Sequence, residues 1–338
     1  RFVNSEMVAC CATLAAAEMI LSGTTCVADG YFHEDAAAAA FCAAGLRAVA
    51  AQGVIDFPAP GVPDPGRNVE AAGAFLDAWQ GRHPLLTPGV FCHSPYTCGP
   101  ETLRRAKELA RARRAPFFIH VAETKEEVAI VRERYGTTPV AHLAALGVLD
   151  PETVCVHGVW LTEEELDLLA QSGAGVVVCP SSHLKLASGI APVREYLTKG
   201  IPVGLGTDSC ASNNNLDLFK EMDLTAKLQK VVHADPSVLP AGEALRLATR
   251  GAAVLLGFPD LGMLRPGCRA YLIVVDSAAP HLTPCYREES HLVYAARGAD
   301  VRDSIIGGRL IMAGRRLLTI DVQEAMARVN ELARAVRG

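Results

Sequence analysis

The chain has 338 residues, a formal net charge of −5 and basic residues spread along its length. This dispersed charge gives no sign of nucleic-acid binding. Half of the residues are hydrophobic, and the length suffices for one domain of roughly 250 residues plus a smaller appendage. The longest apolar stretch, 7–21, contains Glu18 and is too short to cross a membrane. No signal peptide is visible, although the sequence starts with Arg1 rather than Met, so we expect its true beginning to lie upstream.

The eleven cysteines are scattered, and none forms a C-x-x-C pair. This spacing argues against both a structural zinc site and a redox dithiol. Most lie in apolar segments, where cysteine behaves as a small hydrophobic residue, so we predict that they pack in the core. Free thiols in such number favour a reducing cytoplasm.

Short apolar runs alternate with longer amphipathic segments along most of the chain. The apolar runs predict strands at Thr24–Asp29, Arg47–Gly53, Leu86–Cys92, Pro116–His120, Thr153–His157, Gly175–Cys179 and Pro202–Thr207. The amphipathic segments predict helices at Asp35–Ala44, Asn68–Trp79, Pro100–Ala112, Lys125–Arg134, Thr138–Leu146, Thr162–Gln171, Ile190–Lys199 and Leu216–Val232.

This alternation predicts a (β/α)₈ TIM barrel. Continuous apolar strands with helical crossovers indicate a parallel sheet that is covered on both faces. A long series of such units favours a barrel over a doubly wound sheet, and no glycine-rich phosphate loop follows any strand. Closure needs one more strand than the pattern supplies. We therefore expect either that the first strand precedes Arg1 or that the strand count is wrong.

The pattern changes after about residue 262. A turn at 262–267 is followed by a β-rich run at 270–275, then by a hairpin-like segment, Ser304–Leu318, and by a helix, Val322–Val336. We predict a barrel catalytic domain over residues 1–262. Residues 263–338 would form a small β-sandwich module and a terminal helix.

Residues able to do chemistry recur at the carboxyl ends of the predicted strands. His93, His120, His157 and Asp208 end or follow four different strands, and Glu123 lies just beyond His120. Because these ends converge on one rim of a barrel, we expect a shared site there. Two imidazoles and a carboxylate suffice to suggest a divalent metal, with Glu123 on the loop above it.

Each of these residues also has a purely structural explanation. His120 could cap a strand, Asp208 could cap the following helix, and His157 could be a satisfied polar residue beneath a loop. Glu123 could be a solvent-facing acid, and His93 could stabilise a turn. Recurrence at four separate strand ends favours the shared site, whereas the segment 179–186 is expected only to shape the pocket.

Several sequence blocks resemble the amidohydrolase superfamily. They are H-S-P-Y-T-C at 93–98, I-H-V-A-E-T at 119–124, V-H-G at 156–158, S-S-H-L-K-L-A-S-G-I-A-P-V at 181–193 and L-G-T-D-S-C-A-S-N-N-N-L-D-L-F at 205–219. Within the superfamily they are most similar to the methylthioadenosine/S-adenosylhomocysteine deaminases of the chlorohydrolase-related group. The resemblance implies hydrolytic deamination of methylthioadenosine, S-adenosylhomocysteine, 5′-deoxyadenosine or adenosine to an inosine-type product and ammonia.

The resemblance also implies a role for each candidate residue. His120 and Asp208 would ligate one divalent metal, usually zinc in this group. Glu123 would shuttle protons to the purine ring, and His157 would hydrogen-bond the attacking water, from which Asp208 would accept the first proton.

The same resemblance places Glu123, Asp208 and His93 against the substrate, with Arg67 as a looser match. Many amidohydrolases bridge two metals with a carbamylated lysine at the end of the fourth strand. This chain has His93 and no lysine in that neighbourhood, which favours a single metal.

Three departures from the family pattern stand out. Family members carry an H-x-H pair of metal ligands at the end of the first strand, and none of the ten histidines here forms one. Together with the missing strand, this favours an absent N-terminal piece, and two ligands alone are too few for tight metal binding. His183 stands where close relatives often have asparagine, and Gln52 stands where some have a substrate-contacting arginine.

Two other functions remain open at this stage. The first is a deaminase or chlorohydrolase acting on guanine, 8-oxoguanine or a triazine. The second is a metal-free, non-catalytic scaffold, which only the absent H-x-H pair supports. The expected partner is a small molecule rather than nucleic acid or a membrane, and a homodimer is a further expectation.

Overall fold

A computed structural model describes residues 2–337, and its central element is a parallel sheet. Seven strands join in chain order, from β1 at one edge to β7 at the other. They are β1 Cys26–Tyr31, β2 Arg47–Val54, β3 Leu86–Cys92, β4 Phe117–Val121, β5 Thr153–His157, β6 Gly175–Val178 and β7 Val203–Leu205. The predicted strand series is confirmed, and within residues 2–337 no ladder joins β1 to β7.

Helices follow the strands as crossover connections, which is why successive strands are parallel. The helices of the described chain are α1 Ser5–Leu21, α2 Glu34–Ala44, α3 Asn68–Trp79, α4 Pro100–Arg113, α5 Lys125–Tyr135, α6 Pro139–Ala145, α7 Glu163–Ser172, α8 Pro180–Lys185, α9 Val193–Thr198, α10 Leu218–His233, α11 Ala241–Arg246, α12 Ala252–Leu255, α13 Glu288–Tyr294 and α14 Val322–Arg337. All predicted helices are confirmed, and their ends shift by only a few residues. The short helices α8 and α11 to α13 were not predicted.

The core lies between the sheet and its helices. Every residue of β2 is buried, without the alternation of a strand that has one face in water. Such continuous burial is expected of a parallel sheet covered on both faces. The sequence therefore places the carboxyl ends of the strands, rather than their faces, where a ligand can approach.

The C-terminal region contains a second, antiparallel sheet. It consists of β8 Leu272–Val275, β9 Val301–Ile306, β10 Arg309–Ala313 and β11 Arg316–Leu317, in the order β11-β10-β9-β8. The predicted β module is thus present, but in residues 2–337 it is one four-stranded sheet rather than a sandwich. The predicted division at residue 262 stays a prediction, and α13 packs against α10 and α11.

Arg47 joins the two regions. Its guanidinium carbon lies 5.2 Å from the ring centre of Phe258 and 5.3 Å from that of Tyr271. Its Nε donates a hydrogen bond to the Tyr271 hydroxyl at 2.7 Å, and Nη2 donates to the Pro84 carbonyl at 2.9 Å. These contacts satisfy a buried cation through aromatic faces and neutral acceptors.

The cysteines only partly follow the prediction of core packing. Cys92, Cys98, Cys155 and Cys179 are buried, whereas Cys11, Cys210 and Cys285 are exposed, and all described cysteines are free thiols. For the exposed three the prediction was wrong, because short loops and the outer face of α1 also carry cysteine here. No helix within residues 2–337 has the length and apolar character that a membrane crossing needs.

Asp29 in β1 and Glu34 in α2 form a carboxyl pair in which Glu34 is fully buried and Asp29 is half-buried. Burial raises the pKa of Asp29 to about 6. Burial and the nearby Asp29 carboxyl raise the pKa of Glu34 well above its ordinary value. Neither oxygen of Glu34 has a well-oriented hydrogen-bond donor among the described residues. When the pKa of a carboxyl is higher in the folded state than in the unfolded state, the protein becomes less stable as the pH rises above the unfolded-state pKa.

Glu34→Gln should therefore stabilise the protein at pH 8 by about 1 kcal/mol, within the range that a buried polar group without hydrogen-bond partners commonly costs. At pH 4 the gain should be much smaller, because Glu34 is then mostly protonated in both the folded and the unfolded state. Urea unfolding at the two pH values measures the difference, with the exposed Glu133→Gln as control. An equal effect of Glu34→Gln at pH 4 and pH 8 would refute the buried-charge explanation.

Candidate active site

Four histidines form a continuous row at the carboxyl edge of the parallel sheet. His93 follows β3, His120 lies in β4, His157 ends β5 and His183 lies in α8. The ring centres of neighbouring histidines are 5.2 Å apart in all three pairs: His93 and His120, His120 and His157, and His157 and His183. We call this group the imidazole row. The structure thus brings the three predicted histidines together and adds His183.

His120 is oriented by a backbone carbonyl. Its Nδ1 lies 2.7 Å from the carbonyl oxygen of His93. Since a carbonyl only accepts, Nδ1 carries the proton and Nε2 of the neutral ring has a free lone pair. Burial and the neighbouring His93 lower the pKa of His120 to about 4, so the ring is neutral near pH 7. These are the properties of a metal-ligating imidazole.

Glu123 lies on the loop after β4, where it faces both the imidazole row and a serine. Its Oε2 is 3.6 Å from Nε2 of His157. The Ser188 hydroxyl donates to Oε1 over 3.4 Å. Burial raises the pKa of Glu123, and the Asp208 carboxylate raises it further. A carboxyl with a raised pKa is suited to hold and release a proton near neutral pH.

Glu127 fixes the turn that presents Glu123. Its two carboxylate oxygens accept hydrogen bonds from the backbone N–H groups of Ala122 and Glu123, both at 2.8 Å. Ala122 adopts a left-handed φ of 51°, which this pair of hydrogen bonds helps to hold. Sequence reasoning did not identify Glu127, although T-K-E-E at 124–127 has the spacing of a helix capping box.

Asp208 follows β7 in a strained conformation. Its φ is 60°, and that of His157 is 80°, both unusual for residues other than glycine. The Ser182 hydroxyl donates to Oδ2 of Asp208 at 2.6 Å, and the Ser209 backbone N–H donates to Oδ1 at 2.6 Å. Strain of this kind clusters at functional sites, where the surrounding contacts enforce it.

His93 and Arg67 lie in different surroundings. Nδ1 of His93 is 2.8 Å from the Thr97 hydroxyl, and burial lowers the pKa of the ring. Arg67 is 68% exposed, and its guanidinium pairs with Glu70 at 3.1 Å. The structure therefore places His93 in the site, whereas Arg67 stays at the surface in a helix-edge ion pair.

The donor types at this edge fit a divalent metal, but their number does not complete a site. Nε2 of His120 and the carboxylate of Asp208 are both common zinc ligands, and catalytic zinc usually has three from the protein. Within residues 2–337, no three His, Cys, Asp or Glu side chains are grouped so that they could hold an ion. The described residues thus supply part of a ligand set.

A parallel sheet with imidazoles and carboxylates at its carboxyl edge is the arrangement found in metal-dependent hydrolases of the barrel type. The amidohydrolase family model matches residues 2–311. The chain belongs to the amidohydrolase family.

Three similar proteins carry more specific names. A 5-methylthioadenosine/S-adenosylhomocysteine deaminase of Syntrophobacter fumaroxidans is 48% identical over 325 residues, which are 96% of this chain and 74% of that relative. A 5′-deoxyadenosine deaminase of Methanosarcina mazei is 42% identical over 322 residues, 95% of this chain and 74% of the relative. The crystal structure of an adenosine deaminase from Xanthomonas campestris with bound zinc has a TM-score of 0.96 and 37% identity, and it covers 99% of this chain and 76% of that one.

Proposed function

We propose that this chain is a metal-dependent hydrolytic deaminase of an adenosine derivative. The candidate substrates are methylthioadenosine, S-adenosylhomocysteine, 5′-deoxyadenosine and adenosine. The observation that carries the proposal is the position of Glu123, a carboxyl with a raised pKa, beside His157 and close to Asp208 at the rim of an amidohydrolase sheet. The names of the three relatives support the same reaction class.

The proposed cofactor is one divalent metal, most simply zinc, with Nε2 of His120 and the carboxylate of Asp208 among its ligands. When bound, zinc would supply one chemical function here: it would lower the pKa of a water molecule toward neutrality. The hydrogen bond from His120 Nδ1 to the His93 carbonyl, at 2.7 Å, keeps Nε2 available as a ligand. Ser182 orients the Asp208 carboxylate in the same way.

The reaction exchanges the amino group on C6 of the purine for an oxygen from water. Asp208 accepts the first proton of the water as its oxygen bonds to C6, and Glu123 takes up that proton and delivers it to the ring nitrogen next to C6. The C6–N bond then breaks, and the amino group leaves with the second proton of water as ammonia. The product is an inosine-type nucleoside.

The substrate contacts of His93 and Arg67, the location and the oligomeric state stay predictions. His93 lies where it could contact the purine, and Arg67 would have to leave its ion pair with Glu70 to reach a substrate. A cytoplasmic location and a homodimer are likewise proposed from the sequence alone.

An ammonia-release screen with the complete gene product and added zinc tests the proposed function. The panel is adenosine, methylthioadenosine, S-adenosylhomocysteine, 5′-deoxyadenosine and guanine. We expect release from at least one adenosine derivative and none from guanine. Release from guanine alone would support the alternative deaminase. No release, together with no bound metal, would support the scaffold.

A further inference from the structure

The last two members of the imidazole row share one hydrogen bond. Nδ1 of His157 and Nε2 of His183 lie 3.0 Å apart, and their ring planes meet at 62°. The two residues are only 3% and 2% exposed. At this distance one nitrogen carries a hydrogen and the other a lone pair, so the two tautomers are coupled.

The opposite side of the His157 ring indicates which nitrogen donates. Nε2 of His157 lies 3.6 Å from Oε2 of Glu123. A carboxylate oxygen accepts hydrogen bonds, so a proton on Nε2 is favoured over a lone pair that would face the oxygen lone pairs. In a neutral ring with its proton on Nε2, Nδ1 is bare and must accept.

We propose that His183 is a positioning residue: its Nε2–H donates to Nδ1 of His157 and so fixes the His157 tautomer whose Nε2–H points toward Glu123.

The backbone around His183 is built to hold this direction. His183 lies in α8, and its backbone N–H donates to the Cys179 carbonyl at 3.0 Å. The preceding residue, Ser182, is fully buried and donates to Asp208. The short helix α8 thereby orients two groups assigned to catalysis. Ser182 orients Asp208, and His183 orients His157.

The fixed tautomer has a consequence for the reaction, and this consequence rests on the proposed function. With Nε2–H as donor, His157 holds the oxygen of the attacking water rather than removing its proton. Proton transfer is then left to Asp208 and Glu123. The tautomer itself is independent of the substrate and is measurable without turnover.

The test is nitrogen NMR of the zinc-loaded gene product with ¹⁵N-labelled histidine at pH 7. In the wild type we expect the His157 ring to show a protonated Nε2 and an unprotonated Nδ1. His183→Gln keeps an N–H donor and should retain that pattern. His183→Leu removes the donor and should convert His157 to a mixture of tautomers.

Activity supplies a second measurement. His183→Leu should lower kcat by about 10- to 100-fold with little change in KM, as loss of an outer-shell partner commonly does, while His183→Gln should stay within a few-fold. The matched control is His142→Leu, a buried histidine of α6 whose ring stacks on Tyr135 at 4.0 Å. It should change neither the His157 signals nor kcat.

Two results would overturn the proposal. One is a wild-type His157 ring with its proton on Nδ1. The other is a His183→Leu protein whose His157 tautomer is unchanged although kcat falls. If His183→Leu does not fold, the spectra of the wild type and of His183→Gln still show which nitrogen of His157 carries the proton. A wild type with the expected tautomer but no ammonia release would refute the proposed function and leave the tautomer assignment standing.

Discussion

Glu123→Gln is expected to abolish measurable ammonia release while leaving the fold and the metal content intact. The amide cannot take up and release a proton, and positioned acid–base groups contribute roughly 10²- to 10⁴-fold to rate. We therefore expect kcat to fall by at least about a hundredfold. The Ser188 contact and the turn held by Glu127 involve groups that the substitution leaves in place.

The matched control for this change is Glu126→Gln. Glu126 is exposed and lies in the first turn of α5, close to Glu123 in sequence. It should keep full activity, and metal content should be equal in both variants and the wild type. Full activity of Glu123→Gln would contradict its role as the proton carrier.

His120→Ala should lower both metal content and activity. The substitution removes the lone pair on Nε2 that the hydrogen bond to the His93 carbonyl leaves free, and with it one of the two proposed metal ligands. Metal-assisted stabilisation is worth several kcal/mol, so kcat/KM should drop by at least about a hundredfold. Inductively coupled plasma mass spectrometry measures the number of metal ions per chain, and ammonia release measures the rate.

His291→Ala is the comparison for this variant, because His291 lies in α13, outside the imidazole row. It should bind as much metal as the wild type. A His120→Ala protein with normal metal content and normal activity would show that His120 has only a structural role.

The position of the site could be predicted from the sequence because strand ends are easily recognised. His93, His120, His157 and Asp208 follow apolar runs, and parallel strands bring their carboxyl ends to one edge. The observed ring spacing of 5.2 Å confirms that the three predicted histidines lie together.

The contacts that orient the side chains of this site could not be predicted from the sequence. Ser182, His183 and Ser188 lie in or after α8, which is too short to show a periodic pattern. Their contacts join residues far apart in the chain, as between Ser188 and Glu123. Periodicity likewise says nothing about the left-handed backbone of His157 and Asp208, which depends on the surrounding packing.

Arg67 depends on contacts that the sequence does not contain. The family resemblance suggested a substrate contact, which stays a prediction, and in the structure the Arg67 guanidinium pairs with Glu70 one helical turn away. A local ion pair at helix spacing and a distant ligand contact look alike in a sequence, because both need only an exposed cation.

The most direct test of the central claim is deamination in ¹⁸O-labelled water. The zinc-loaded gene product is incubated with the best substrate of the screen, and product mass and ammonia are measured together. Hydrolytic deamination predicts one ¹⁸O atom in each inosine-type product and one ammonia per product, both lost in Glu123→Gln. A product without the label, or label incorporation unaffected by Glu123→Gln, would contradict the account.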